Sequence, residues 1–397
     1  MRVTGVSITK VSPARAVAFA VLEQVAEGAY LSDALREQSY QLDARDAGLA
    51  SQIAFGCLRF EKQLDYLIRV YSGRKPNDLD RAVAIALRAA IFQMRYLERI
   101  PAHAAVHESV EFVKQRRRAA GGFVNAVLRK VTREEVSWPD EETALSCPEW
   151  LLARWRKHFG EEQARGIAKA ALCEPAAYIR IPPGAAPPEA ITTERTQIPG
   201  CWRLLSPPAP GMRLHDISSQ AVLLLLDAQE GQSYLDLCAA PGNKTLQALE
   251  TSFGLAVACD ISERRIREVP PVCPRVVLDA AQPLPFSREF DRILVDAPCS
   301  GTGTLARNPE IKWRVKPQDF PRFHRKQLRI AAQALALLAP RGQLLYATCS
   351  LEPEENEDVV REIQSMNPGL RIEREMWRLP GRDEGDGFYA ALLTRQG

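Results

Sequence analysis

The chain has 397 residues, 46% of them hydrophobic and 25% charged. This exceeds what one core usually fills, so two or three domains are expected, and burial does not limit stability. A formal net charge of +3 is too small to argue for nucleic acid by itself, so local clusters must carry that case. Nine cysteines without a CxxC pair, and no Cys/His spacing suited to zinc, argue against a metal site and fit a reducing cytoplasm better than a disulfide framework. Met1 to Ala20 has no apolar stretch of signal-peptide type, and Ala221 to Leu226 is far too short to span a bilayer. A cytoplasmic protein is expected.

From Ser12 to Val131 the pattern is helical. Arg15 to Leu22 opens an apolar stripe, Asp43-Ala44-Arg45-Asp46 predicts a capped start for a helix over Leu49 to Tyr66, and Leu79 to Leu97 predicts another, stopped by Ile100-Pro101. Residues 1–133 thus form an all-α domain. The composition then shifts to a proline-rich stretch, residues 134–210, with one helix over Pro148 to Leu172 and one strand over Ala177 to Ile181. It is read as a small α+β connector.

Residues 211–397 alternate short apolar strands with helical runs. The strands are Tyr234 to Leu237, Leu255 to Cys259, Arg275 to Leu278, Arg292 to Val295 and Gln343 to Ala347, with a helix over Gln327 to Leu338. This pattern predicts a doubly wound, mostly parallel, Rossmann-like sheet.

The first strand runs into Asp236-Leu237-Cys238-Ala239-Ala240-Pro241-Gly242-Asn243-Lys244-Thr245, and a helical run follows. Small residues let a ligand approach the backbone, and free amides at a helix start suit a polar group. The string is neither GxGxxG nor a P-loop, so a nucleoside triphosphate is not expected. Asp260 ends the second strand at about the spacing where a carboxylate accepts from adenosine ribose hydroxyls, and Asp279 ends the third, where a polar group could meet adenine. Loop and acids together describe an adenosyl cofactor. Each acid alone could equally be a helix cap.

Two further strings, Asp296-Ala297-Pro298-Cys299-Ser300 and Thr348-Cys349-Ser350, place two thiols and a carboxylate at the ends of buried strands, where they can converge on one substrate. A lone cysteine after a strand is usually a small buried hydrophobe; two in this arrangement are much less readily explained that way. Cys57, Cys147, Cys173, Cys201, Cys259 and Cys273 are assigned to packing or chance exposure.

Leu235 to Lys244, Asp296 to Thr302, and Tyr346 to Ser350 with Glu354-Glu355-Asn356 resemble the S-adenosyl-L-methionine-dependent RNA cytosine-C5 methyltransferases of the Nol/Nop/Sun family. Residues 55–59, 99–106 and 123–129 resemble the NusB-type helical RNA-binding domain. In this order the two halves are similar to that family's bacterial Sun/Fmu-type enzymes, which act on 16S rRNA. The resemblance implies Cys349 as a nucleophile adding to carbon-6 of cytosine, Cys299 assisting release, and Asp296 donating or sharing a proton toward N3 and O2 if burial keeps it partly protonated. Cys238, Ala239, Ala240, Pro241, Gly242, Asn243, Lys244, Asp260, Asp279 and Asp296 would hold the cofactor. Asn243 stands where the family usually has glycine, and Arg180-Ile181-Pro182 replaces the usual Arg-Val-Asn.

A base must leave its stack to be methylated, so single-stranded or looped RNA is the natural target. Arg264, Arg307, Lys312, Trp313 and Arg314 are candidate RNA contacts, since cations with an aromatic can hold backbone and a flanking base. Lys114 to Arg118 with Arg129-Lys130 form a second basic patch, which a solvated helix face would explain equally. His103 and His107 lie four apart without a third ligand, and packing or capping is favoured over a metal. Asp386, in Gly385-Asp386-Gly387, could be merely a turn residue. The expected partner is 16S rRNA, either naked or in a partly assembled small subunit, with no membrane or metal and with a monomeric protein. A tRNA substrate and a non-catalytic, antitermination-type RNA-binding protein are the alternatives.

Overall fold

A computed structural model describes residues 11–209 and 211–396; the first ten residues, Pro210 and Gly397 lie outside the described part, and with them half of the Met1 to Ala20 segment. The chain divides into two units, one of residues 1–154 with 308–313 and one of residues 155–307 with 314–397.

The first unit is helical. Its main helices are α1 (Pro13–Ala26), α2 (Leu31–Gln38), α3 (Ala44–Arg59), α4 (Glu61–Ser72), α5 (Arg81–Tyr96), α6 (Ala102–Arg116) and α7 (Gly121–Leu128). Pro13 sits in the first turn of α1, where its missing N–H costs nothing. The Asp43 and Asp80 side chains cap α3 and α5 by accepting from Asp46 and Ala82 backbone N–H groups. Helix α5 is buried on nearly every side, as an all-round apolar helix must be. Its polar side chains are satisfied: Arg88 grips Asp65 through two hydrogen bonds of 2.6 and 2.8 Å, and Gln93 accepts from Arg15 at 2.6 Å.

The expected helix over Leu49 to Tyr66 is two helices broken at Phe60. The Phe60 ring lies tilted 4.5 Å from Tyr96 and stacks 6.1 Å from Phe92, and Gly56 lies against the Phe92 ring, which fixes α3 against α5 before α4 begins. Residues 134–154 also belong to this unit. Gln63 donates to the Ala144 carbonyl at 2.7 Å and the Lys62 N–H to Ser146 at 3.1 Å, so the start of the proline-rich stretch packs on α4. The boundary between units therefore falls well beyond residue 133.

The helix expected over Pro148 to Leu172 is split at Gly160, whose φ of 85° separates Glu149–Phe159 from Glu161–Ala170, and the second unit starts within the first of these, at Trp155. A three-stranded antiparallel sheet follows, of β1 (Tyr178–Arg180), β2 (Thr193–Arg195) and β3 (Cys201–Leu204), in the order β1-β3-β2. The main sheet has seven strands: β4 (Ser233–Asp236), β5 (Leu255–Asp260), β6 (Arg275–Val277), β7 (Phe290–Asp296), β8 (Leu338–Thr348), β9 (Leu370–Arg378) and β10 (Phe388–Arg395). Its order is β6-β5-β4-β7-β8-β10-β9. The first five strands pair in parallel, and β10 pairs antiparallel with β8 and β9.

Successive residues of β4, β7, β8 and β10 alternate between two cores. Leu235, Ile293, Leu344 and Leu393 join one face, while Tyr234, Leu294, Leu345 and Leu392 join the other. Both faces are covered, which explains why these strands read as unbroken apolar runs. Strand order reverses between β4 and β7, and in such sheets the crevice beyond that switch point is where ligands bind.

Candidate active site

Strand β4 ends at Asp236, which is fully buried. Its carboxyl accepts from the Thr245 hydroxyl at 2.7 Å and from the Cys238 N–H at 3.3 Å, tying the two ends of the following loop together. Burial pushes Asp236 up to about 7. Gly242 holds the loop at φ 102°, where a Cβ would meet Val269 backbone at 3.0 Å, so only glycine closes this turn. Asn243 begins the helix Asn243–Ala248 and is used structurally. It donates to the Leu214 carbonyl at 2.9 Å and accepts from Arg213 at 3.2 Å.

A cavity of about 230 Å³ opens beyond these strand ends. It is lined by Cys238 and Ala240 of the loop, by Asp260 and Asp279 at the ends of their strands, and by Asp296, Cys299 and Cys349. Sequence elements spread over more than a hundred residues thus meet around one space. Asp260 accepts from the Ser262 N–H at 2.9 Å and the Ala240 N–H at 3.3 Å, and Asp279 accepts from the Ala281 N–H at 3.0 Å. Each carboxylate keeps acceptor capacity for a ligand. Two acids beside a small-residue loop suit the hydroxyls and amine of an adenosyl group.

Lys244 and Asp296 form an ion pair of 2.8 Å, and the Lys244 ammonium also lies 4.9 Å from the centre of the Phe388 ring. Burial alone would pull this lysine down, but the charge and hydrogen bond of Asp296, together with Cys349 and Asp236, hold the ammonium above its ordinary value. Asp296 keeps 31% side-chain exposure. The burial on which the expected proton-donor role of Asp296 depended is thus only partial, and the group beside it is the Lys244 cation.

The Cys299 and Cys349 sulfurs are 3.4 Å apart and hydrogen-bonded. Cys299 is pushed well above the ordinary thiol range, first by that hydrogen bond and then by burial. Glu355, at the end of the turn Pro353–Glu355, is fully buried beneath both cysteine loops; nothing in its local sequence marked it apart from Glu354.

The remaining candidates are placed differently. Arg264 is exposed on the short helix Glu263–Ile266. Arg307 is spent on Asp216 and Asp386, each at 2.9 Å, and on the Ala176 carbonyl, so Asp386 is an ion-pair partner and more than a turn residue. Lys312 is buried in the helical unit, where its ammonium donates to the Arg59 carbonyl at 2.8 Å, and burial pulls it down to about 8. Trp313 donates to the Leu58 carbonyl at 2.9 Å in the same unit. The Lys312 ammonium and the Trp313 N–H are thus used by the protein itself. Arg314 is half-buried. His103 and His107 are exposed near the start of α6, and the described residues contain no group of three metal-ligating side chains. Arg116 and Arg117 of the second basic patch pair with Glu23 and Asp80. Among the described residues no helix is long and apolar enough to cross a membrane.

The sheet order, the loop after β4 and the crevice at the switch point define a Rossmann-like methyltransferase unit, carried on one chain with a NusB-type helical domain. Residues 223–394 match the family described as 16S rRNA methyltransferase RsmB/F, and residues 12–133 match the NusB family. The chain belongs to the RsmB/F methyltransferase family. It is 32% identical to ribosomal RNA small subunit methyltransferase B of Escherichia coli (strain K12) over 96% of this chain and 98% of that protein, and equally so to the protein of that name from Escherichia fergusonii. The crystal structure of PH0851 superposes with a TM-score of 0.79 at 22% identity, covering 97% of this chain and 99% of that one. NSun6 from Pyrococcus horikoshii, solved with SFG, gives 0.56 at 18% identity over 63% of this chain and 98% of its own. At these identities the structural likeness speaks to fold alone.

Proposed function

We propose that this protein methylates carbon-5 of a cytidine in 16S rRNA, with S-adenosyl-L-methionine as donor and through a covalent bond between Cys349 and carbon-6 of the base. The observation that carries this reading is the 3.4 Å thiol pair, which lines the adenosyl-type cavity together with Asp296, the ion-pair partner of Lys244. The named function of the full-length relatives supports the rRNA substrate. A bound donor would supply an electrophilic methyl group, and the loop from Cys238 to Lys244 with Asp260 and Asp279 would hold it.

The chain's own residues do the rest. Carbon-5 of cytosine is a poor nucleophile until a thiolate adds at carbon-6 and pushes electrons toward N3 and O2. Cys349 is that thiolate. Cys299, held protonated, donates its S–H to the Cys349 sulfur. Charge arriving at N3 meets the Lys244–Asp296 pair, whose shared proton is the acid available at that edge of the base. After transfer, carbon-5 loses its proton to water, and as the ring double bond re-forms the carbon–sulfur bond breaks and N3 returns its proton to the Lys244–Asp296 pair. The Cys299 thiol stabilises the departing Cys349 thiolate.

An RNA containing 5-fluorocytidine tests this, because the fluorine cannot leave as a proton and the adduct stays. RNA joined to the Cys349 peptide is expected in mass spectrometry of the digested complex. Attachment at Cys299, or no attachment while methyl transfer to ordinary RNA proceeds, would contradict it.

A further inference from the structure

We infer that Glu355 is a positioning residue of the methyl-transfer site, clamping the Cys299 loop to the Cys349 loop and so setting the spacing of the two thiols. The inference rests on the reading above. Its basis is the pair of serines that follow the two cysteines in sequence.

One carboxylate oxygen of Glu355 accepts from the Ser300 backbone N–H at 2.8 Å and from the Gln327 amide at 3.2 Å. The other accepts from the Ser350 hydroxyl at 2.5 Å and from the Ser300 hydroxyl. The two serine oxygens are themselves 3.2 Å apart. Gln327 also donates to the Pro298 carbonyl at 3.1 Å, so the Cys299 loop is held on both sides of the cysteine. Asn356 does the same for the other loop, accepting from Thr348 and donating to the Ser350 carbonyl at 3.0 Å. The Tyr346 hydroxyl fixes the Glu355 carbonyl at 2.6 Å.

A carboxylate buried under uncharged donors is costly to place, and four hydrogen bonds are what offset that cost. All but the Gln327 bond end one residue from a reactive sulfur. Glu355 does not line the cavity and touches no reacting atom, so its influence passes through Ser300 and Ser350. A thiol contact of 3.4 Å leaves little slack, and a misplacement of about 1 Å can cost a reaction roughly 10²-fold. Hydroxyl groups can turn, so a glutamine could keep the clamp. Its carbonyl would face Ser300 N–H and Gln327, and its amide would donate to two reversed serine hydroxyls.

The test uses the full chain with Glu355→Ala and Glu355→Gln. It measures kcat and KM on 16S rRNA, donor affinity, and the rates at which iodoacetamide labels Cys299 and Cys349. The expected result for Glu355→Ala is a kcat lowered by roughly 10²-fold with KM and donor affinity retained, and altered labelling of both cysteines. Glu355→Gln should restore kcat and labelling toward the wild type. Three results would overturn the inference: Glu355→Ala with wild-type kcat and labelling, parallel loss of donor affinity, or glutamine as damaging as alanine. If Glu355→Ala does not fold, the paired Ser300→Ala and Ser350→Ala changes probe the same clamp. The labelling rates report on the clamp even if wild-type protein forms no 5-methylcytidine, which separates failure of this inference from failure of the proposed reaction.

Discussion

The Lys244 ammonium, presented by the first turn of the helix that follows the β4 loop, lies 2.8 Å from the Asp296 carboxylate at the end of β7, although the two residues are 52 positions apart in sequence. Adjacent parallel strands end side by side, so the loop that suits a cofactor and the motif that carries Cys299 share one ion pair. Neither partner is well placed alone. The lysine is buried, and removing its counter-ion would leave an uncompensated charge.

Asp296→Asn should break this acid pair and lower the rate of single-turnover methyl transfer by roughly 10²–10⁴-fold, the usual range for loss of positioned acid–base catalysis. Lys244→Met should do similar damage. Because the two act as a unit, the double variant should be little worse than either single one. Multiplicative losses would show that they act separately.

The cysteine roles predict different failures. Cys349→Ala should abolish both transfer and adduct, whereas Cys299→Ala should slow turnover and let a protein–RNA adduct accumulate. Denaturing gels of each variant with ordinary RNA distinguish them. Equal loss of adduct in both would dissolve the assignment.

Asp236 gives a stability prediction with a definite sign. Its carboxyl ionises near pH 4 when unfolded but only near 7 in the folded chain, because it is buried. Between those values the folded state binds the extra proton, so this contribution to stability declines as pH rises and is level above about 7. Asp236→Asn can keep the Thr245 and Cys238 hydrogen bonds without the charge. It should stabilise the apoprotein by up to roughly 4 kcal/mol at pH 8, with the gain vanishing toward pH 4. Thermal melts across that range check it, and a gain that grows at low pH would contradict it.

Gly56→Ala should destabilise the helical unit, since the new Cβ would lie 2.0 Å from the Phe92 ring. The ring also stacks with Phe60 and Tyr96 and cannot move freely. A loss of about 1–3 kcal/mol, the usual cost of overpacking, is expected from denaturant unfolding of the full chain.

Much of the catalytic half was legible because a strand buried on both faces leaves an unbroken apolar run, and the motifs that matter sit at the ends of such runs. Strands β4, β5, β7 and β8 were readable for that reason, whereas β6 is largely exposed and showed only as the short β-branched stretch Val276-Val277. Strand β9 was not readable, since residues such as Arg371, Arg374 and Glu375 face solvent and break the pattern. The helix break at Phe60 comes from ring contacts with α5, which no local signal records. Lys312 and Trp313 look like a basic, aromatic loop in sequence, yet the Lys312 ammonium and the Trp313 N–H are spent on backbone carbonyls of α3. In sequence Glu355 is one of two adjacent glutamates in Glu354-Glu355-Asn356. Its partners lie in three separate segments, and the one available hint was the serine that follows each cysteine.

The most direct measurement is transfer of isotopically labelled methyl from S-adenosyl-L-methionine to unmodified 16S rRNA, with tRNA and 23S rRNA in parallel, followed by nucleoside mass spectrometry. Labelled 5-methylcytidine is expected in 16S rRNA and in neither of the others. Label in a different nucleoside, or 5-methylcytidine confined to tRNA, would contradict it.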